Sequence, residues 1–247
     1  MNKTKIETFD CTFNPITGCF NDCPYCYARR IVQRFARQGD EHCHDCTQPP
    51  LPLHEKRYKR GYMWTYGFQP TLHSYRLLEP AQKRKPKNIF VCSMADLFGG
   101  WVPDEWIQRV FDACIKAPQH RYLFLTKNPK RYQDLFENGI IKKGSDFWFG
   151  TTITNDSEPY MSAVNFNCYL SIEPIGKFDS FHYDPFDGEI KWVIIGAETG
   201  NRKDKVIPKR EWITNIVDTC KHFRIPTFMK SNLASIWGEP LIQEFPW

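Results

Sequence analysis

The chain has 247 residues, a formal net charge of +5, and 41% hydrophobic and 15% aromatic residues. That composition excludes a disordered chain and allows a substantial core, while the modest charge permits an anionic partner without requiring one. No apolar run reaches the length of a membrane span and the first residues, MNKTKIETFD, lack the apolar stretch of a secretory leader, so a soluble, cytoplasmic protein with no membrane partner is expected.

In chain order, an early strand near 6–13 precedes a cysteine-rich turn and a helical pattern, YARRIVQRFARQ, at 27–38. The segment 39–63, polar, Pro-containing and basic at its end, breaks the pattern and reads as a loop insertion. A strand near 64–70 and a short helix near 74–82 come next, then the strand NIFVCSM (88–94). PDEWIQRVFDACIKA (103–117) places Trp106, Ile107, Val110, Phe111, Cys114 and Ile115 on one helical face, with Pro103 suited to the first turn. The strand RYLFLTK (121–127), a helix near 129–137, and the strands FWFGTTI (147–153), NCYLSIEP (167–174) and WVIIGAE (192–198) follow. PKREWITNIVDTCKHF (208–223) repeats the helical design with Trp212, Ile213, Ile216, Val217, Cys220 and Phe223, and PTFMKSN (226–232) is the last strand.

Most of these strands are near-continuously apolar, as parallel strands covered on both faces are. Strands alternating with helices predict an α/β fold in a single domain over 1–247: a parallel (β/α) barrel or partial TIM-like barrel. A doubly wound open sheet is the alternative, because periodicity does not show closure.

Ten cysteines in a chain expected to meet a reducing compartment are informative. Cys11, Cys92, Cys114, Cys168 and Cys220 stand singly among apolar residues and read as small buried hydrophobes. GCFNDCPYC (18–26) instead gathers Cys19, Cys23 and Cys26. Three thiolates can hold a tetrahedral zinc if Cys11, Cys43 or His42 closes the set, or three irons of a cubane cluster, leaving one iron without a protein ligand. HCHDC (42–46) offers Cys43 and Cys46 as half a zinc site, with His42, His44 and His54 nearby; without a second cysteine pair it reads as a polar loop.

Several strands end in polar groups: Ser93 and Asp96, Thr126 and Lys127, Thr151, Thr152 and Asn155, Ser171 and Glu173, Glu198 and Thr199, Lys230 and Ser231. In a parallel barrel those ends form the active face. Gly196 and Gly200 flank GAETG, which is not a dinucleotide fingerprint. The basic stretches HEKRYKR (54–60) and KRKPK (83–87), with Tyr58, Tyr62, Trp64 and Tyr66 nearby, are compatible with nucleic-acid contact or with solvated loops.

The spacing Cys-x3-Cys-x2-Cys, with aromatic Tyr25 before the third cysteine, resembles the signature of the radical S-adenosylmethionine superfamily. TFNPITGC and CYAR within 12–29, PTLHSYRLLEP (70–80), FVCSMADLF (90–98), LTKNPKRY (125–132), SIEPIG (171–176), GAETGNR (196–202) and FMKS (228–231) resemble a phage-associated family of predicted radical SAM proteins with a three-cysteine motif. Distant similarity extends to spore photoproduct lyase. The resemblance implies a [4Fe-4S] cluster on Cys19, Cys23 and Cys26 and S-adenosyl-L-methionine on the open iron. An external one-electron reductant would drive cleavage of the sulfonium, and the resulting 5′-deoxyadenosyl radical would abstract a hydrogen atom from substrate. It further implies cofactor contacts from Tyr25, Ser93 and Asp96 and a matching lysine at Lys127. The chemistry of strand ends adds Thr152 and Glu198 as cofactor contacts and Glu173 and Lys230, with Lys127, as catalytic residues, because a bound cofactor zwitterion needs both an anion and a cation. The substrate is unidentified, a nucleic acid or nucleotide being favoured, and a partner protein is admitted because no dedicated substrate domain follows the barrel. A non-catalytic zinc module that binds nucleic acid is the competing expectation.

Overall fold

The computed structural model describes residues 1–35, 51–53, 64, 66–184 and 189–247. HCHDC, the basic stretch 54–60 and all of the expected insertion except 51–53 lie outside the described residues. The chain divides into two compact units, Met1–Phe147 and Trp148–Trp247.

The first unit runs β1 (Asn2–Lys3), β2 (Cys11–Phe13), β3 (Ile16–Thr17), α1 (Tyr27–Phe35), β4 (Leu51–Leu53), β5 (Thr71–His73), β6 (Asn88–Val91), α2 (Asp104–Ile115), β7 (Arg121–Thr126) and α3 (Lys130–Glu137). β1 pairs antiparallel with β2, and β2, β6 and β7 then run parallel side by side. A smaller sheet sets β5 between β3, antiparallel, and β4, parallel. From the boundary onward come β8 (Phe147–Ile153), β9 (Asn167–Ile172), β10 (Ile190–Ile195), α4 (Arg210–His222), β11 (Thr227–Met229) and α5 (Ala234–Trp237). β8, β9, β10 and β11 are parallel neighbours in that order. The α/β class and the dominance of parallel strands are therefore observed, and among the described residues of neither unit does a sheet close on itself.

Local chemistry explains most of these elements. β8 is buried along almost its whole length and β10 buries Trp192, Val193, Ile194 and Ile195, the pattern of strands covered on both faces. α2 starts at Asp104 with Pro103 as its N-cap, places Asp104 and Glu105 in the first turn where the helix dipole favours them, and buries Trp106, Ile107, Val110, Phe111 and Cys114. Ile115 and Phe223, expected on buried faces, sit at helix ends and are 39% and 36% exposed. Phe111 stacks on Phe124 with ring centroids 4.6 Å apart, and Phe98, Tyr132 and Phe147 close around them. Cys11, Cys92, Cys114, Cys168 and Cys220 are buried and outside any disulfide, as their apolar surroundings predict.

Two expectations shift and a third feature is new. The helix near 74–82 is reduced to a 3-10 turn at Ser74–Arg76 followed by turns, because Pro80 lacks the N–H a helix would use and disfavours helical geometry at Glu79. The strand near 64–70 forms later, at β5, because Gly67 at φ +58 turns the chain between Trp64 and Gln69. The third was invisible in the sequence: the tail past α5 straps the outer edge of β11, with Met229 N–H on Ile242 O at 2.7 Å and Glu244 N–H on Thr227 O at 2.9 Å. Phe245 and Trp247 of that tail pack on Trp192.

β3 and β5 are tied by His73, which has no exposed surface and lies with Nε2 2.8 Å from Thr17 Oγ1. Burial, helped by the charge of Arg76, lowers its pKa from 6.5 to about 3. Between those values the unfolded chain binds a proton that the folded chain refuses, so this group's effect on stability is absent above pH 6.5 and grows unfavourable as pH falls toward 3. The slope approaches about 1.4 kcal/mol per pH unit. Urea melts of wild type and His73→Gln across that range should show the wild type losing stability faster on acidification; parallel curves would refute the burial of a neutral imidazole.

Candidate functional site

The site is built around Gly18. Its φ of +87 turns the chain out of β3, its N–H bonds Met94 O at 2.9 Å, and it bridges Ala95 in parallel register. A Cβ at this position would stand 2.1 Å from the Gln69 carbonyl oxygen, so the close approach requires glycine. The loop that follows is thereby laid past the carboxyl ends of β2, β6 and β7, and carries Cys19, Cys23 and Cys26 before α1 begins.

All three are partly exposed free thiols. Asn21 N–H points at Cys19 Sγ at 3.4 Å, and Arg29 N–H, in the first turn of α1, points at Cys26 Sγ at 3.3 Å. Burial pushes the Cys19 thiol up to about 12. Burial also raises Cys23, opposed by the charge of Lys127 and a hydrogen bond from Tyr25. Without a cation the Cys19 and Cys23 thiols thus hold their protons, and a bound metal would supply the charge that makes them thiolates. Among the described residues no three His, Cys, Asp or Glu side chains stand already converged on one metal position. The donor chemistry nonetheless fits a thiophilic metal: neighbouring thiols are close enough for Cys23 to raise Cys19 and Cys26 to raise Cys23, and backbone N–H groups are aimed at two of the sulfurs.

Asp96, just past β6, is 6% exposed and organises this end of the unit. Its Oδ1 accepts from Phe98 N–H at 3.1 Å and Thr126 Oγ1–H at 2.7 Å; its Oδ2 accepts from Lys127 N–H at 3.1 Å and Asn21 Nδ2–H at 2.9 Å. Burial raises its pKa and these four bonds oppose the rise. Two acceptor sites on each oxygen are filled by the chain itself, so its visible part is to join the cysteine loop to β6 and β7. Ser93 donates its hydroxyl to Asn14 Oδ1 at 3.1 Å, and its carbonyl accepts from the Tyr27 hydroxyl. Lys127 Nζ lies 5.2 Å from the centroid of the Tyr25 ring. Tyr25, Ser93, Asp96 and Lys127, nominated from the sequence, are therefore gathered with the cysteines.

The remaining nominated residues fall in the second unit, at or just past the carboxyl ends of its parallel strands. Glu173, after β9, pairs with Lys230, after β11. Gly196 lies beside this pair, where a Cβ would come within 3.1 Å of Glu173 Oε1 and of Lys230 Cδ. Glu198, 7% exposed, accepts two hydrogen bonds from Arg202, each 2.8 Å. Asn232 holds the backbone of Ala197 from both sides, accepting its N–H at 3.1 Å and donating to its carbonyl at 2.8 Å. Thr152 is half-buried near the end of β8.

Sequence reasoning missed Asn14, Asn21, Arg202 and Asn232. Asn14 and Asn21 sit inside the quoted motifs, and Arg202 stands four residues after Glu198, so position was the available signal. Trp64, considered as a stacking surface, is 8% exposed and packs with Ala28, Val32 and Met94 instead. Lys83, Arg84, Lys85 and Lys87 are exposed, before the amino end of β6. Among the described residues no helix is long and apolar enough to cross a membrane.

Neither the curated proteins nor the solved structures contain a significant match to the chain. The family model described as Protein of unknown function (DUF5131) matches residues 3–240, and the chain belongs to that family.

Proposed function

We propose that this chain is a radical S-adenosylmethionine enzyme whose [4Fe-4S] cluster is held by Cys19, Cys23 and Cys26. The observation that carries the reading is the gathering of three partly exposed free thiols in one loop past the carboxyl ends of parallel strands, beside a buried carboxylate and a lysine. When bound, cluster and cofactor supply one-electron cleavage of the sulfonium and abstraction of a hydrogen atom from substrate, fed by an external reductant.

The chain's own residues hold and aim that chemistry. Three thiols leave one iron without a protein ligand, where the amino and carboxylate groups of the cofactor can bind. Tyr25 lies within the thiol loop, Ser93 borders it, and Asp96 holds it through Asn21. Lys127, with one face of its ammonium on the Tyr25 ring, keeps donors free for a carboxylate. In the second unit, by itself, Glu173 with Lys230 forms an ion pair whose members can exchange partners with a bound ligand, Glu198 can likewise exchange Arg202, and Thr152 offers a hydroxyl near the end of β8. The parallel βα order supports the partial TIM-like barrel reading. The charge of +5 is compatible with a nucleic acid or nucleotide substrate, although exposed Lys83, Arg84, Lys85 and Lys87 stand at the amino end of β6 and not at the thiol loop; the motif resemblance supports a phage-related origin.

Chromatography of the reconstituted, reduced protein after incubation with S-adenosylmethionine is the test. Release of methionine and 5′-deoxyadenosine is expected. A colourless protein carrying one zinc and releasing neither would favour the non-catalytic zinc module.

A further inference from the structure

Cys23 lies between two residues that are held from outside the loop. Asn21, two positions before it, donates Nδ2–H to Asp96 Oδ2 at 2.9 Å. Tyr25, two positions after it, offers its ring to Lys127 Nζ at 5.2 Å. The two holding residues are themselves locked together, because Asp96 Oδ2 also accepts the backbone N–H of Lys127 at 3.1 Å. Asp96 in turn is fixed by Phe98 N–H and Thr126 Oγ1–H, so the anchor is part of the ends of β6 and β7.

We propose that Asp96 and Lys127 form a two-point clamp on the cysteine loop, gripping Asn21 and Tyr25 on either side of Cys23, and so position that thiol for metal ligation. The metal part of this inference rests on the iron–sulfur reading; the clamp itself does not. Loops that carry metal ligands are loose unless neighbouring hydrogen bonds orient them, and such outer contacts change metal affinity by about 10- to 100-fold when removed. Here the contacts come from residues 75 and 102 positions away from their loop partners, so the strand ends add two long-range holds to the loop's own turns, such as Cys26 N–H on Cys23 O at 3.1 Å. The buried carboxylate suits the first jaw because it can accept from the loop while still satisfying three other donors. A lysine suits the second because its stem reaches out of β7 and its charge rests on the aromatic face.

The test uses the full chain with Asn21→Ala, Lys127→Met and Lys127→Arg, since Asp96 itself is too deeply embedded to give a clean variant. In the metal-free protein, deuterium uptake by the peptide spanning 18–27 should become about ten-fold faster in Asn21→Ala and in Lys127→Met, while core peptides exchange as in wild type. Lys127→Arg should retain the wild-type rate, because a guanidinium also rests on an aromatic face. After anaerobic reconstitution with iron and sulfide, the same two variants should surrender iron to a chelator about ten-fold faster than wild type, and the arginine variant should not. Wild-type exchange in either Asn21→Ala or Lys127→Met would overturn the clamp, as would an arginine variant as loose as the methionine one. A wild type that takes up no iron, with loop exchange altered as described, would leave the clamp standing and overturn the ligand reading.

Discussion

Single replacement of Cys19, Cys23 or Cys26 by Ala is expected to abolish cluster retention and with it the release of 5′-deoxyadenosine, while urea melts of the metal-free proteins stay close to wild type. The reason is location. The three thiols lie in a loop outside the sheets and each is partly exposed, so little apolar burial is lost with any of them. Two remaining thiolates hold a cubane poorly, and removing a ligand also removes the charge that the metal site needs. Cys114→Ala should behave in the opposite sense. That thiol has no exposed surface and packs inside the first unit, so its loss should leave iron binding intact and cost about 1–2 kcal/mol of stability. A Cys23→Ala protein that still released 5′-deoxyadenosine at the wild-type rate would refute the ligand assignment.

Asp96→Ala is expected to be the most damaging single change in the first unit, by about 3–5 kcal/mol. The substitution strands four donors at once: Phe98 N–H, Thr126 Oγ1–H, Lys127 N–H and Asn21 Nδ2–H. Two of them are backbone groups that cannot turn away to find water. Thr126→Val, which removes one donor from the carboxylate and the acceptor of Asn128 N–H but leaves the carboxylate with its other three donors, should cost only about 1–2 kcal/mol. Equilibrium denaturation of the two variants beside wild type measures the difference. An Asp96→Ala protein as stable as Thr126→Val would mean that the carboxylate is not the anchor of these strand ends.

The parts of the molecule that were legible in the sequence are those governed by local pattern. FWFGTTI predicts a strand at 147–153, and β8 occupies those residues. The apolar face of 103–117 predicts α2, and the isolated cysteines are buried as their neighbours suggest. The grouping of Tyr25, Ser93, Asp96 and Lys127 with the thiols was legible for a different reason: parallel strands deliver their carboxyl ends to one face, so polar residues at strand ends become neighbours whatever their separation in sequence. What the pattern could not show was pairing. That Asn21 reaches Asp96 depends on a contact across 75 residues. That the tail straps β11 depends on an edge whose neighbours only the fold reveals. Trp64 was misjudged for the same reason, since whether an aromatic side chain stacks on a ligand or fills a core is decided by what faces it, and Ala28, Val32 and Met94 face it.

Electron paramagnetic resonance of the anaerobically reconstituted, reduced protein, recorded before and after adding S-adenosylmethionine, tests whether a cluster held by Cys19, Cys23 and Cys26 would leave one iron open to the cofactor. A low-temperature signal whose g values shift with the cofactor is the outcome the proposed function predicts. A signal indifferent to the cofactor, or a protein that binds zinc and yields no signal, would contradict it.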